Sequence, residues 1–425
     1  MLNWKDKIGE IPSDWQAVNA KEYLLLESGQ RPAEHVTDDP NDIPSLGGEN
    51  ITLDGFIDLS NLRFISYDYF KKMKKGIVLT DDILINKDGA NTGKIALVRN
   101  LPYDDAAVNE HLFIIRTNGS FDQKYLFYFL FSDKGNRQIR AKITGSAQGG
   151  INTGVFKGIF IPKPPKPEQQ KIAAILTKVD DAIQAVKNTI EKVERLKKAL
   201  MQNLLTGKLK PDGTWRRDDE FYEDEKFGKV PVGWDSSRIK NYGELQTGKT
   251  PPTADENNFG NDYMFITPGD IGENRLIKKT ERYVSEKGIK YSYKIPPRSV
   301  CVVCIGSTIG KIGITTEECC TNQQIHTVIC NNDNDPNFLF YFMQFRKAHF
   351  KEYAGINATP QINKSSFSKY PVLQPTDIQE QKAISEKLLT IEKQIDQKYT
   401  KIQKLERLKK ALMQNLLTGK VRVKV

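Results

Sequence analysis

Residues 194–208 read ERLKKALMQNLLTGK, and residues 406–420 read the same fifteen residues again. An exact copy of that length, at a separation of half the 425-residue chain, requires two copies of one unit. Alignment outward from the repeat gives a collinear duplication. GEIPSDW at 9–15 falls on GKVPVGW at 228–234, and Leu26, Gly29 and Pro32 fall on Leu245, Gly248 and Pro251. GANTGKI at 89–95 falls on GSTIGKI at 306–312, Asn109 on Asn322, and YLFYF at 125–129 on FLFYF at 338–342. Near the end of each globular part, Ile151, Asn152 and Phe156 fall on Ile362, Asn363 and Phe367. The offset drifts from 219 to 211, as small loop insertions and deletions require.

Each half then reads as a mixed α+β domain followed by a long helix. Short β-rich runs (77–79, 83–85, 95–98 and 113–115; then 300–304, 312–314 and 327–329) are broken by Gly, Asn and Asp turns. One helix per half, near 122–134 and 337–348, carries an aromatic stripe whose expected role is packing on the sheet. Prolines at 162–167 and at 371 and 375 stop each globular part, and Thr376 with Gln379 has the form of a capping box. The first helix places Ile172, Leu176, Val179, Ile183, Val186, Ile190, Val193, Leu196, Leu200 and Leu204 on one stripe. The second repeats that spacing from Ile384 through Leu408 to Leu416, with Lys398 interrupting it. A seam of this length belongs to a coiled coil, and helices of about 35–38 residues span roughly 55 Å. The expected fold is therefore α+β, with two globular domains of one fold separated by an antiparallel intramolecular coiled coil and related by a pseudo-twofold axis. The expected boundaries are 1–160, 161–209, 210–371 and 372–425.

The net charge of +10 is unevenly placed: −2 over 1–160, +6 over 161–210, 0 over 211–371 and +6 over 372–425. A basic chain points to a polyanionic partner, but the excess sits on the helices. The opening MLNWKDKIGE lacks an apolar signal segment, and the longest apolar-aromatic run is too short to span a bilayer, so a cytoplasmic protein with no membrane partner is expected. An odd number of cysteines, five, argues for reduced thiols.

Three motifs tempt and fail. GELQTGKT at 243–250 matches a phosphate loop, but Pro251 and Pro252 compromise the helix that such a loop requires. Asp212 with Asp224, Glu225 and Lys226 resembles a nuclease set, yet the stretch reads as a solvated acidic linker without strand pattern. Cys301, Cys304, Cys319 and Cys320 lack zinc-site spacing and fit a β-core better. No catalytic centre and no metal site emerges.

A polar, basic set remains at equivalent points of the two halves: Arg31, Lys87, Asn91, Thr92, Lys94, Gln148 and Asn152, against Lys249, Thr250, Thr308, Lys311, Thr359, Asn363 and Lys364. Lys and Arg suit phosphates or guanine, and Asn and Gln suit adenine. The same residues also suit ordinary turns, and both readings stay open.

The duplicated ERLKKALMQNLLTGK, the openings at Leu26–Pro32 and Leu245–Pro251 and the paired GKI loops resemble the specificity subunit of a type I restriction-modification system, over essentially the whole chain. The resemblance implies a non-catalytic reader of double-stranded DNA in which each recognition domain binds one half of a gapped, asymmetric target. It also implies two methyltransferase subunits and motor-nuclease restriction subunits as partners, with S-adenosylmethionine, ATP and Mg²⁺ belonging to them and no cofactor in this chain. The near-identical helix surfaces, with Arg195, Lys198 and Gln202 in one copy and Arg407, Lys410 and Gln414 in the other, suit docking of two equivalent partners. Two alternatives stay open: a coiled-coil scaffold without DNA readout, and a nuclease using the carboxylates at 212–226.

Overall fold

The computed structural model describes residues 4–32, 35–144, 149–272, 274–355 and 360–424. The chain divides into two units within its long helices: Met1–Lys187 with Thr400–Val425, and Asn188–Tyr399. Each unit holds one α+β domain, the start of the long helix that follows it and the end of the other long helix.

The first unit is built on a four-stranded antiparallel sheet in the order Leu24–Ser28, Leu112–Thr117, Ile83–Asn86, Ile95–Leu97. The second repeats that order with Gly243–Thr247, Ile325–Cys330, Val300–Val303 and Ile312–Thr315, then adds Leu276–Ile277 at the edge. A smaller sheet accompanies each, with one parallel pairing: Ile43–Leu46 on Ala107–Val108, and Phe259–Ile266 on Cys319–Thr321. A two-stranded ribbon leads to each long helix, Gln16–Asn19 with Phe160–Lys163 and Trp234–Arg238 with Pro371–Pro375.

The aromatic stripe is core, as its composition requires. Tyr125 through Leu130 and Phe338 through Met343 are buried against the sheets. Each expected helix is in fact two. Gln123–Phe131 stops at Ser132, whose hydroxyl caps Asp133–Arg140, and Pro336–Phe345 is followed by Lys347–Tyr353. Gly135 permits the reversal, because a Cβ there would lie 2.0 Å from the Phe129 carbonyl oxygen.

The long helices run Lys166–Leu205 and Ile378–Leu416. The second is capped by Asp377, which accepts from the Gln379 amide at 2.8 Å, and not by Thr376, whose hydroxyl donates to the Gly233 carbonyl. Within the first unit, Ile172, Ala173 and Leu176 share a core with Met413, Leu416 and Leu417 from the opposite end of the other helix. Within the second, Leu204 and Leu205 do the same with Ile384 and Leu388. The helix ends dock on equivalent seats. Trp15 donates to Glu168 at 3.1 Å and Trp234 to Glu380 at 3.2 Å. Gly419 and Gly207, both at positive φ, lie so close to Pro12 and Pro231 that a Cβ would meet the proline rings at 2.4 and 2.2 Å.

The seam differs from the sequence expectation at one step. Leu196 and Leu408 face outward, 48% and 47% exposed, and Lys197 and Lys409 take the inward positions. With lysine at that step the spacing is a regular alternation of four and three, as the coiled-coil repeat prefers. Each lysine is neutralised across the helix pair: Lys409 Nζ lies 2.7 Å from fully buried Asp180, and Lys197 Nζ 2.8 Å from Glu392. The α+β domain completes each cluster. Arg99 reaches Asp180 at 2.6 Å and the Tyr128 hydroxyl donates to it at 2.8 Å, while Arg275 lies 3.7 Å from Glu392 beside Tyr341. Burial, then the neighbouring carboxylate, raises both phenols.

Two further expectations resolve here. The acidic stretch is a hairpin, Phe221–Asp224 on Gly228–Pro231, in which Asp224 accepts from the amides of Lys226 and Phe227. Its charges hid a strand whose Tyr222 hydroxyl ties it to the Trp234 carbonyl. Cys301, Cys304, Cys319 and Cys320 are buried in and beside core strands, where burial pushes the Cys301 thiol up to about 12 and that of Cys320 to about 11.

Candidate nucleic-acid interface

Four loops meet at one end of the main sheet in each unit. In the first, the Gly29 amide donates to the Leu112 carbonyl, the Lys87 amide to that of His111, and the Ile151 amide to that of Lys87, at 3.0, 2.9 and 2.8 Å. In the second, the corresponding bonds run from Gly248 to Ile325, Cys304 to Gln324 and Ile362 to Cys304, at 3.1, 2.8 and 2.8 Å. The hairpin turns of GANTGKI and GSTIGKI are the same turn, with Gly89, Gly93, Gly306 and Gly310 at positive φ and the Lys94 and Lys311 amides donating to Asn91 and Thr308 carbonyls. GELQTGKT forms the strand Gly243–Thr247 and a loop, and no helix begins at Lys249.

The loops of this frame and the turns beside it carry Arg31, Lys87, Asn91, Thr92, Lys94 and Asn152 in one unit and Lys249, Thr250, Thr308, Lys311, Asn363 and Lys364 in the other. Gln148 and Thr359 lie outside the described residues. Several of these side chains serve the loops themselves. Asn91 donates to the Gly48 carbonyl, and the Thr92 hydroxyl lies within 2.7 Å of the Gly89 and Gly149 carbonyls. Asn152 and Asn363 accept from the amides of Gly154 and Ser366, so their oxygens close turns.

Sequence reasoning missed the residues that follow the aligned asparagines. Glu110 lies 3.5 Å from Arg31, and His111 Nδ1 lies 2.6 Å from Asp88. Arg31, Glu110 and His111 line a polar groove of about 650 Å³ together with Arg63 and Glu49. In the second unit the Thr250 hydroxyl donates to Gln323 at 2.7 Å, and Asn322 donates to Gln324 at 2.9 Å. The available signal was adjacency: these residues flank an anchor shared by both halves and differ between them. His326, below the loops, is buried between Thr247 and the Ile362 carbonyl, and burial lowers its pKa.

The two units thus carry equivalent loop clusters at the same end of duplicated domains. The family model for the type I restriction modification DNA specificity domain matches twice, over residues 12–195 and 231–407. The chain belongs to that family. As a type I specificity subunit it is a DNA-recognition component and not a catalytic one. It is 27% identical over 437 residues to the type I restriction enzyme MjaVIII specificity subunit of Methanocaldococcus jannaschii, covering 99% of this chain and 96% of the relative. It is 25% identical to the HindI specificity subunit of Haemophilus influenzae, covering 86% and 90%. The crystal structure of the S subunit from M. genitalium matches with a TM-score of 0.61 at 15% identity, covering 98% of this chain and 97% of that one, which places the two in one fold. A structure from a type I complex, described for its assembly and conformational transition, matches at 0.55 and 17%, covering 97% and 100%. Among the described residues, no helix of the specificity subunit is long and apolar enough to cross a membrane.

Proposed function

We propose that each recognition domain, over 1–160 and 210–371, reads one half of a gapped, asymmetric double-stranded DNA target. The helices over 161–209 and 372–425 form an antiparallel coiled coil with pseudo-twofold symmetry that sets the gap. The observation that carries this reading is the pair of loop clusters, alike in backbone and unlike in side chains, which suits two half-sites of different sequence. Lys87, Lys94, Lys249, Lys311 and Lys364 supply phosphate contacts that position each domain, and uncommitted side chains of the same loop clusters face base edges.

The two identical fifteen-residue copies each dock one methyltransferase subunit. Arg195, Lys198, Gln202, Arg407, Lys410 and Gln414 are all exposed, which leaves them available to a partner, and Leu196 and Leu408 add an apolar centre to each surface. S-adenosylmethionine, ATP and Mg²⁺ then act on methyltransferase and motor-nuclease partners. The test is to exchange residues 17–160 for those of another specificity subunit and sequence the methylated motifs in host DNA. One rewritten half-site, with gap and second half-site intact, is the expected result; an unchanged motif would leave a scaffold without readout.

A further inference from the structure

The two loop clusters hold one backbone frame and carry different side-chain pairs on it. Gly29 and Gly248 pack so tightly on Asn109 and Asn322 that a Cβ would stand 1.9 and 2.1 Å from the asparagine carbonyl oxygens. The asparagine side chains accept from the amides of His111 and Gln324 at 3.0 and 3.1 Å. This frame sets residue 31 against residue 110 in one unit and residue 250 against residue 323 in the other. Among the described polar side chains, Asn91 is tied to the Gly48 carbonyl, and Thr92, Asn152 and Asn363 bond groups of their own turns. The Arg31 side chain is 81% exposed, and its 3.5 Å contact with Glu110 is an open surface pair that a ligand can replace.

We infer that Arg31 with Glu110, and Thr250 with Gln323, are the specificity-determining pairs of the two units, the first set for a G·C base pair and the second for an A·T base pair. The inference rests on the DNA-reading function proposed above. In the major groove guanine presents two acceptors, which match the two-pronged guanidinium of Arg31, and its partner cytosine presents an amino donor, which matches the Glu110 carboxylate. Adenine presents one acceptor and one donor, which match the amide of Gln323, and the Thr250 methyl group suits the methyl group of thymine. A charged pair on one frame and a neutral pair on its duplicate is what two different half-sites demand. The first pair also disfavours an A·T base pair: Glu110 would set a carboxylate against the O4 acceptor of thymine.

The experiment uses the full chain in its host, with methylated motifs read from genomic DNA. Arg31→Thr, Glu110→Gln and His111→Gln together install residues that the second unit already carries on the same frame. They are expected to change one base pair of one half-site from G·C to A·T and to leave the other half-site unchanged. Thr250→Arg with Gln323→Glu is expected to change one base pair of the other half-site from A·T to G·C. An unchanged motif in both variants overturns the inference, as does loss of methylation in both while the variant chains still co-purify with their partners. Where one variant fails to accumulate, the reciprocal one decides. The exchange of residues 17–160 separates the two levels. A half-site rewritten by that exchange but not by the point variants defeats this inference alone, and a motif that survives the exchange defeats the reading on which it rests.

Discussion

Asp180 is a fully buried carboxylate in the first unit that faces Arg99, Lys409 and the Tyr128 hydroxyl. Removing it strands two cations in a dry setting, so Asp180→Ala should cost about 3–5 kcal/mol in the purified chain, as expected for breaking a buried pair. Glu392 occupies the same place in the second unit, but its side chain is 22% exposed and that of Lys197 27%. Solvent screens that pair, and Glu392→Ala should cost roughly 1 kcal/mol. Denaturant unfolding of both variants checks the order, and an equal or reversed cost would refute the assignment of burial as the cause. His326 gives a pH test. Its ordinary pKa of 6.5 is lowered by burial in the folded chain, so below that pH the unfolded chain takes up a proton that the folded one resists. Stability should therefore fall as pH drops from about 6.5, and His326→Gln should flatten that slope in thermal melts at pH 5 to 8. Neither carboxylate was legible in sequence, because periodicity counts apolar positions and a buried lysine shows itself only through its partner. For that reason the apolar pattern points to Leu196 and Leu408 as the seam residues at the step that Lys197 and Lys409 occupy.

At the scale of elements, the sequence was most informative where both copies spoke together. Several core strands, the aromatic helices and the long helices follow from apolar pattern, turn residues and proline punctuation read twice, whereas the strand order does not. The Ser132 break, the Asp377 cap and the 221–231 hairpin were not legible, since each depends on a tertiary contact: Gly135 against Phe129, Thr376 on Gly233, and Tyr222 on Trp234. The outward leucines lead to a test of the docking surface. Leu196→Glu with Leu408→Glu removes exposed apolar area and buries nothing polar, so the melting temperature should hold within a few degrees. Co-purification of methyltransferase subunits should be lost, and unimpaired capture would show that the partner sits elsewhere. The helix ends offer a second test. Gly419→Ala forces a Cβ into Pro12 at positive φ, next to buried Trp15. It should cost roughly 1–3 kcal/mol and shift tryptophan emission to the red.

At the scale of the whole molecule, the chain divides within its long helices, at Lys187/Asn188 and Tyr399/Thr400, so that each unit keeps one domain with a part of both helices. The two lysine clusters each lie inside a unit: Asp180 with Lys409 in one, Glu392 with Lys197 in the other. Insertions at the two division points therefore leave both clusters and both docked helix ends intact. Seven residues add about 10 Å and nearly whole turns to a helix, which preserves the inward face. On the proposed function, seven residues inserted at both points lengthen the gap by about three base pairs, at 3.4 Å each. Three base pairs also turn the duplex by roughly 100°, given about ten pairs per turn, so modification should be weaker at the longer gap than in the parent. An insertion in one helix alone puts the second strand of the seam out of step and should abolish partner capture. Sequencing of methylated motifs decides between outcomes: a half-site pair kept at the original gap by the doubly extended chain would mean that the helices do not measure the distance, and that the partners do.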